Sequence, residues 1–79
     1  MANDTEARLQ DVFRAVFSLA PKADVTRVRQ VNHPDWDSLA HVTLIAALES
    51  EFGIAVDVTA SLELTSYDAI ALYLEEQKL

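Results

Sequence analysis

Few of the 79 residues carry side chains that could do chemistry. There is no Cys, there are two His, and there is one Gly. Without Cys the chain has no thiolate zinc site, no Cys nucleophile and no disulfide framework. One Gly cannot build a glycine-rich phosphate loop. His33 and His41 do not share a short metal-ligand motif, and His33 falls in a stretch with no helical period. The remaining candidate is the stretch Asp37-Ser38-Leu39-Ala40-His41. Its Ser, His and Asp could be drawn as a hydrolytic triad. So short a chain offers no pocket to exclude water and hold a substrate, so neither a metal nor a catalytic residue is expected.

Ser38 stands where a loop becomes a helix. The plain reading of a Ser there is a helix cap. Asp37 already suits the cap, because its carboxylate can accept from first-turn amides. That leaves the Ser38 hydroxyl free at about the first helical position. It then lies beside unpaired backbone N–H groups and the positive end of the helix dipole. An attached phosphate is favoured in that position. The residue pattern therefore suits a Ser that carries a phosphodiester and is not itself a nucleophile in turnover.

Three or four helices must position this Ser. The first spans about Asn3 to Leu19, with Leu9, Val12, Phe13, Val16 and Phe17 on one stripe. Asn3 and Glu6 resemble a capping box, and Pro21 is expected to stop the helix. Residues 20–36 have no sustained period and read as a long ordered loop. Val25, Val28 and Val31 are expected to pin it to the core, and a loop of this length is often functional. His33 is expected to be solvated, and Trp36 to pack on the loop or the helix start.

The second helix spans Asp37 or Ser38 to Phe52. Its expected core stripe is Leu39, Val42, Ile45, Leu48 and Phe52, with His41 on the exposed side. Gly53 is placed for a left-handed C-cap. Ile54 to Val58 reads as an extended connector packing Ile54 and Val56 inward. Thr59 to Leu64 reads as a short helix. Thr65 and Ser66 offer caps for a last helix burying Tyr67, Ile70, Ala71 and Leu74. The fold class is an all-α, small antiparallel three-to-four-helix bundle, one domain over 1–79.

Charge narrows the partners. Six Lys and Arg stand against thirteen Asp and Glu, a formal net charge of −7. Such a chain repels nucleic-acid phosphates and anionic membrane surfaces, so neither partner is expected. It favours basic partner proteins. The polar, acidic start is not a signal peptide, and no stretch approaches the ~20 apolar residues of a membrane span. A cytoplasmic monomer is expected.

The stretch "DSLAHVTLIAALESEFGI", Asp37 to Ile54, and "LTSYDAIALYL", Leu64 to Leu74, together resemble the acyl carrier protein family. The first helix fits the family more loosely. The resemblance implies that a phosphopantetheinyl transferase attaches 4'-phosphopantetheine from coenzyme A to Ser38. The arm's thiol would hold acyl or aminoacyl groups as thioesters and present them to acyl-loading and acyl-transfer enzymes. It implies that Asp37 helps dock the transferase with its magnesium ion, and that Leu39 anchors the helix start. Trp36 stands directly before Asp37, where many members have a Gly close by.

The family presents its second helix to partners as an acidic face. Here His41, Leu44, Ala47, Glu49 and Glu51 are the expected docking residues, so docking should be more apolar. That face points to a specialised biosynthetic pathway as readily as to fatty acid synthesis. The competing reading is an unmodified helical interaction module.

Overall fold

The structure, a computed structural model, describes residues 2–20 and 22–77. Among them are four α-helices: α1 (Ala2–Phe17), α2 (Ser38–Phe52), α3 (Val58–Glu63) and α4 (Tyr67–Glu76). Two 3-10 turns, Val25–Arg27 and Gln30–Asn32, punctuate the loop between α1 and α2. The expected all-α bundle is what forms.

Helix α1 starts at Ala2, so Asn3 lies within its first turn and is not the N-cap. The Asn3 side chain lies outside the described residues. The helix also stops earlier than expected. Ser18 adopts a left-handed φ of 54°, and the Leu19 N–H reaches back to the Arg14 carbonyl at 3.0 Å. That six-to-one bond is a Schellman ending, completed before the chain reaches Pro21. Pro21 itself lies outside the described residues. Leu9, Val12, Phe13 and Phe17 are buried and Val16 half-buried, as the stripe predicts. Arg8 fastens α1 to the end of α2. Its Nε donates to the Glu51 carboxylate at 2.8 Å, and its guanidinium lies 4.8 Å from the Phe52 ring centroid.

The long loop is held by two of its three valines. Val25 and Val28 are buried, whereas Val31 is 80% exposed. Backbone bonds stitch the loop to the start of α4: Gln30 N–H to the Thr65 carbonyl and Tyr67 N–H to the Val28 carbonyl, each 2.9 Å. Val31 follows this stitch and has no core left to face.

The core face of α2 differs from expectation. Leu44, Ile45, Leu48 and Phe52 are buried, while Leu39 is 75% and Val42 66% exposed. The physical reason is that α2 is apolar almost all round, so its own period does not single out one face. Packing against α1 chose the stripe through Leu44. Its ends match the sequence reading: Asp37 caps the start, and Gly53 has a left-handed φ of 64° at the close.

Ile54 and Val56 are half-buried in the connector. Ser66 caps α4, accepting from the Ala69 N–H at 3.0 Å, and Tyr67, Ile70 and Leu74 are buried along it. The centre of the core is aromatic. Phe13 meets Trp36 edge-on at 5.7 Å and Tyr67 at 5.3 Å. Offset and edge geometries of this kind suit ring quadrupoles.

Candidate functional site

The start of α2 is built by its cap. Asp37 Oδ1 accepts the Ala40 N–H at 2.8 Å. The helix thus begins without drawing on the Ser38 hydroxyl. Ser38 is the first residue of α2 and is exposed. Among the described hydrogen bonds, none engages its Oγ. The N–H groups of the first helical residues point out of the helix end with no carbonyl four residues earlier to receive them. A free hydroxyl, adjacent donors and the helix dipole therefore coincide.

Ser38 lines a groove of about 570 Å³. The groove runs between α2 and α3, with Val42, Ile45 and Ala46 on one side and Val58 and Leu62 on the other. Its walls are mainly apolar, and the polar rim includes Ser38, His41, Ser61 and Gln30. This geometry fits a phosphate-linked arm: an accessible acceptor oxygen, uncommitted N–H donors, and an adjoining furrow. Leu39 does not anchor the helix start inward; its side chain is exposed and outside the groove lining. Packing of α1 fixes the rotation of α2, and that rotation turns Leu39 to solvent.

His41 is not on a free face. Its Nδ1 accepts the Trp36 indole N–H at 3.0 Å. Its Nε2 lies 2.9 Å from the Ser61 carbonyl oxygen and 3.1 Å from the Ser61 hydroxyl. Trp36, only 2% exposed, is a core residue directly before the cap. Gln30 adds a bond from its side-chain amide to the Trp36 carbonyl at 3.3 Å. These residues lie five, six and twenty positions apart. Trp36 packs at the helix start as expected, but no local pattern pointed to its bond with His41 or to Gln30 and Ser61 as supports of the site. His33, expected to be solvated, is half-buried with its ring 5.1 Å from that of Phe17.

The expected docking residues are mostly turned inward. Leu44 is 0% exposed, so no partner reaches it without opening the core. Ala47 is half-buried against that core. Glu49 accepts the Val56 N–H at 2.8 Å and thereby holds the connector before α3. Glu51 is exposed but paired with Arg8. The apolar groups that α2 and α3 do show to solvent around Ser38 are Leu39, Val42, Val58 and Leu62.

Hydrogen bonds from the Thr26 hydroxyl and N–H hold the Asp24 carboxyl below the ordinary carboxylate range. Burial raises the Tyr67 hydroxyl, against a hydrogen bond from Gln10. Among the described residues no group of three His, Cys, Asp or Glu could hold a metal ion. Residues 36–74 match the family model described as the phosphopantetheine attachment site. No curated protein matches the sequence closely enough to count as a relative.

Proposed function

Through residues 36–74 the chain belongs to the phosphopantetheine-attachment family of carrier proteins, and from that membership we propose that Ser38 bears the arm. The cofactor is covalent 4'-phosphopantetheine, whose thiol supplies the sulfur on which carried groups are held as thioesters. The observation that carries the assignment to Ser38 is its exposed, uncommitted hydroxyl on the first residue of α2, on the lining of the groove. Asp37 supports it twice. Its side chain caps the helix, so the hydroxyl stays free. Its negative charge beside the acceptor oxygen suits a transferase that brings a metal ion. The first-turn N–H groups would then face the phosphate once it is attached.

The chain is a carrier and not a catalyst. As part of the proposal, it is the substrate of a phosphopantetheinyl transferase and then the delivery vehicle for acyl-loading and acyl-transfer enzymes. A tethered thioester gains effective concentration at successive active sites, which is the physical benefit of the arm. The exposed Leu39, Val42, Val58 and Leu62 support docking through an apolar face around Ser38. That face, with few acidic groups, favours a specialised biosynthetic pathway. A single carrier domain over 1–79, acting as a monomer in a reducing cytoplasm, completes the reading; the absence of Cys suits it.

The test is intact-mass measurement after coexpression with a broad-specificity phosphopantetheinyl transferase. The expected result is a gain of one phosphopantetheine, abolished by Ser38→Ala. An unchanged mass would instead support an unmodified interaction module. An adduct surviving Ser38→Ala would move the attachment to another residue.

A further inference from the structure

Groups from two other parts of the fold, the long loop and α3, meet on the His41 imidazole of α2. The Trp36 indole N–H donates to His41 Nδ1 at 3.0 Å. An indole nitrogen only donates, so Nδ1 is an acceptor and carries no proton. The ring proton therefore sits on Nε2, which faces the Ser61 carbonyl oxygen at 2.9 Å. A carbonyl only accepts, so both ends of the ring require the same neutral tautomer. Protonating His41 places a second N–H on Nδ1. Two donors then face each other across 3.0 Å, and the Trp36 contact is lost.

His41 is the partner that must give way. Trp36 is wedged in the core, its ring 5.7 Å from Phe13 and 5.3 Å from Phe17. His41 is half-buried and lines the groove. When it turns, it takes the Ser61 contact with it. Helix α3 is lightly held: six residues long, it buries none of them. Among the described hydrogen bonds, those from His41 are the ones that join α3 to another helix. Its flanks are fixed separately, by the Glu49–Val56 bond before it and buried Leu64 after it.

We infer that His41 is a proton-operated latch: neutral, it holds α3 against α2; protonated, it lets α3 lift and widens the groove that Ser38 lines. This goes beyond the carrier reading. Its consequence for a tethered arm rests on attachment at Ser38, but the latch itself rests only on the hydrogen bonds. The titratable groups on the elements that flank it are His33 and Asp35 in the preceding loop, Asp37 at the cap of α2, Glu49 on α2, Asp57 at the cap of α3 and Glu63 at its end. Among the described hydrogen bonds none of their side chains bonds the His41 ring, and Glu49 is engaged by Val56. No Lys or Arg lines the groove to oppose the incoming positive charge.

The test uses unmodified, nitrogen-15-labelled protein titrated from about pH 8 to pH 5, the span in which imidazoles charge. The chain has one Trp, so one indole N–H resonance reports the bond. It should move upfield on acidification, together with the amides of residues 59–63, at the midpoint of the His41 ring. The amides of Leu9 and Phe13 in α1 should stay in place. His41→Gln should abolish the linked movement and His33→Gln should keep it. A stationary indole resonance overturns the latch, as does movement that follows the His33 midpoint. Linked movement persisting in His41→Gln overturns it too. The wild-type midpoints decide even where a variant fails to fold. Because no arm is present, failure here leaves the mass test of Ser38 untouched, and the converse holds.

Discussion

Trp36→Phe tests whether the core and the site are one structure. Phe keeps a ring against Phe13 and Phe17 but removes the indole N–H that His41 Nδ1 accepts at 3.0 Å. The net hydrogen bond is worth about 1 kcal/mol, and an acceptor left unmet costs up to about 3 kcal/mol when fully buried. His41 is half-buried, so water recovers part of this and the loss is about 1–2 kcal/mol. The smaller ring leaves a void in the packed centre, costing about 1 kcal/mol more. A total of about 2–3 kcal/mol is large against the roughly 4–12 kcal/mol available to a domain of this size. It corresponds to a fall in Tm of about 10–20 °C. Urea unfolding followed by helical circular dichroism measures it, since the variant has lost the only Trp as a fluorescent probe. A double-mutant cycle with His41→Ala isolates the bond, with an expected coupling of about 1 kcal/mol. Additive effects in the double variant would refute the contact. Stability of Trp36→Phe within about 0.5 kcal/mol of the parent would refute the void and the bond together.

Leu44→Ala should cost about 2–5 kcal/mol and Leu39→Ala under about 0.5 kcal/mol in the same unfolding assay, because the first is in the core and the second in solvent. Asp37→Ala should cost about 1 kcal/mol through loss of the α2 cap, and Asp37→Asn should recover most of the stability by keeping an oxygen for the Ala40 N–H. If the Asp37 charge also serves the transferase, Asp37→Asn should still slow modification of Ser38 in a timed intact-mass assay. Burial raises the Tyr67 pKa above its ordinary value of 10.0. On the alkaline side the unfolded state therefore sheds this proton first, and stability should begin to fall above about pH 10. Tyr67→Phe should flatten that alkaline limb, as measured by urea midpoints across the range.

Much of the site was readable because its signals are local. Asp37 and Gly53 act through backbone atoms within five residues, Ser38 needs only to be left out of that capping, and such short-range chemistry is the same wherever the helix packs. The strong stripe of α1 was also unambiguous, since its polar residues mark one face clearly. The stripe of α2 was not. With Leu39, Val42, Leu44, Ile45, Ala46 and Ala47 spread around it, several rotations bury a comparable apolar area, and the period cannot rank them. The end of α1 at a left-handed Ser18 also went unseen, because Ser is a poor predictor of that conformation.

By itself the amino-acid order determined a helical domain with a capped helix start and a Ser38 hydroxyl left out of the cap, since capping and apolar spacing are settled within a turn or two of chain. Only the tertiary structure decided which face of α2 is sealed, and so that Leu44 is core while Leu39 and Val42 meet solvent. It also decided that His41 bridges Trp36 and Ser61. Those outcomes depend on contacts between residues distant in the chain, and their energies exist only once α1, the long loop and α3 have come together.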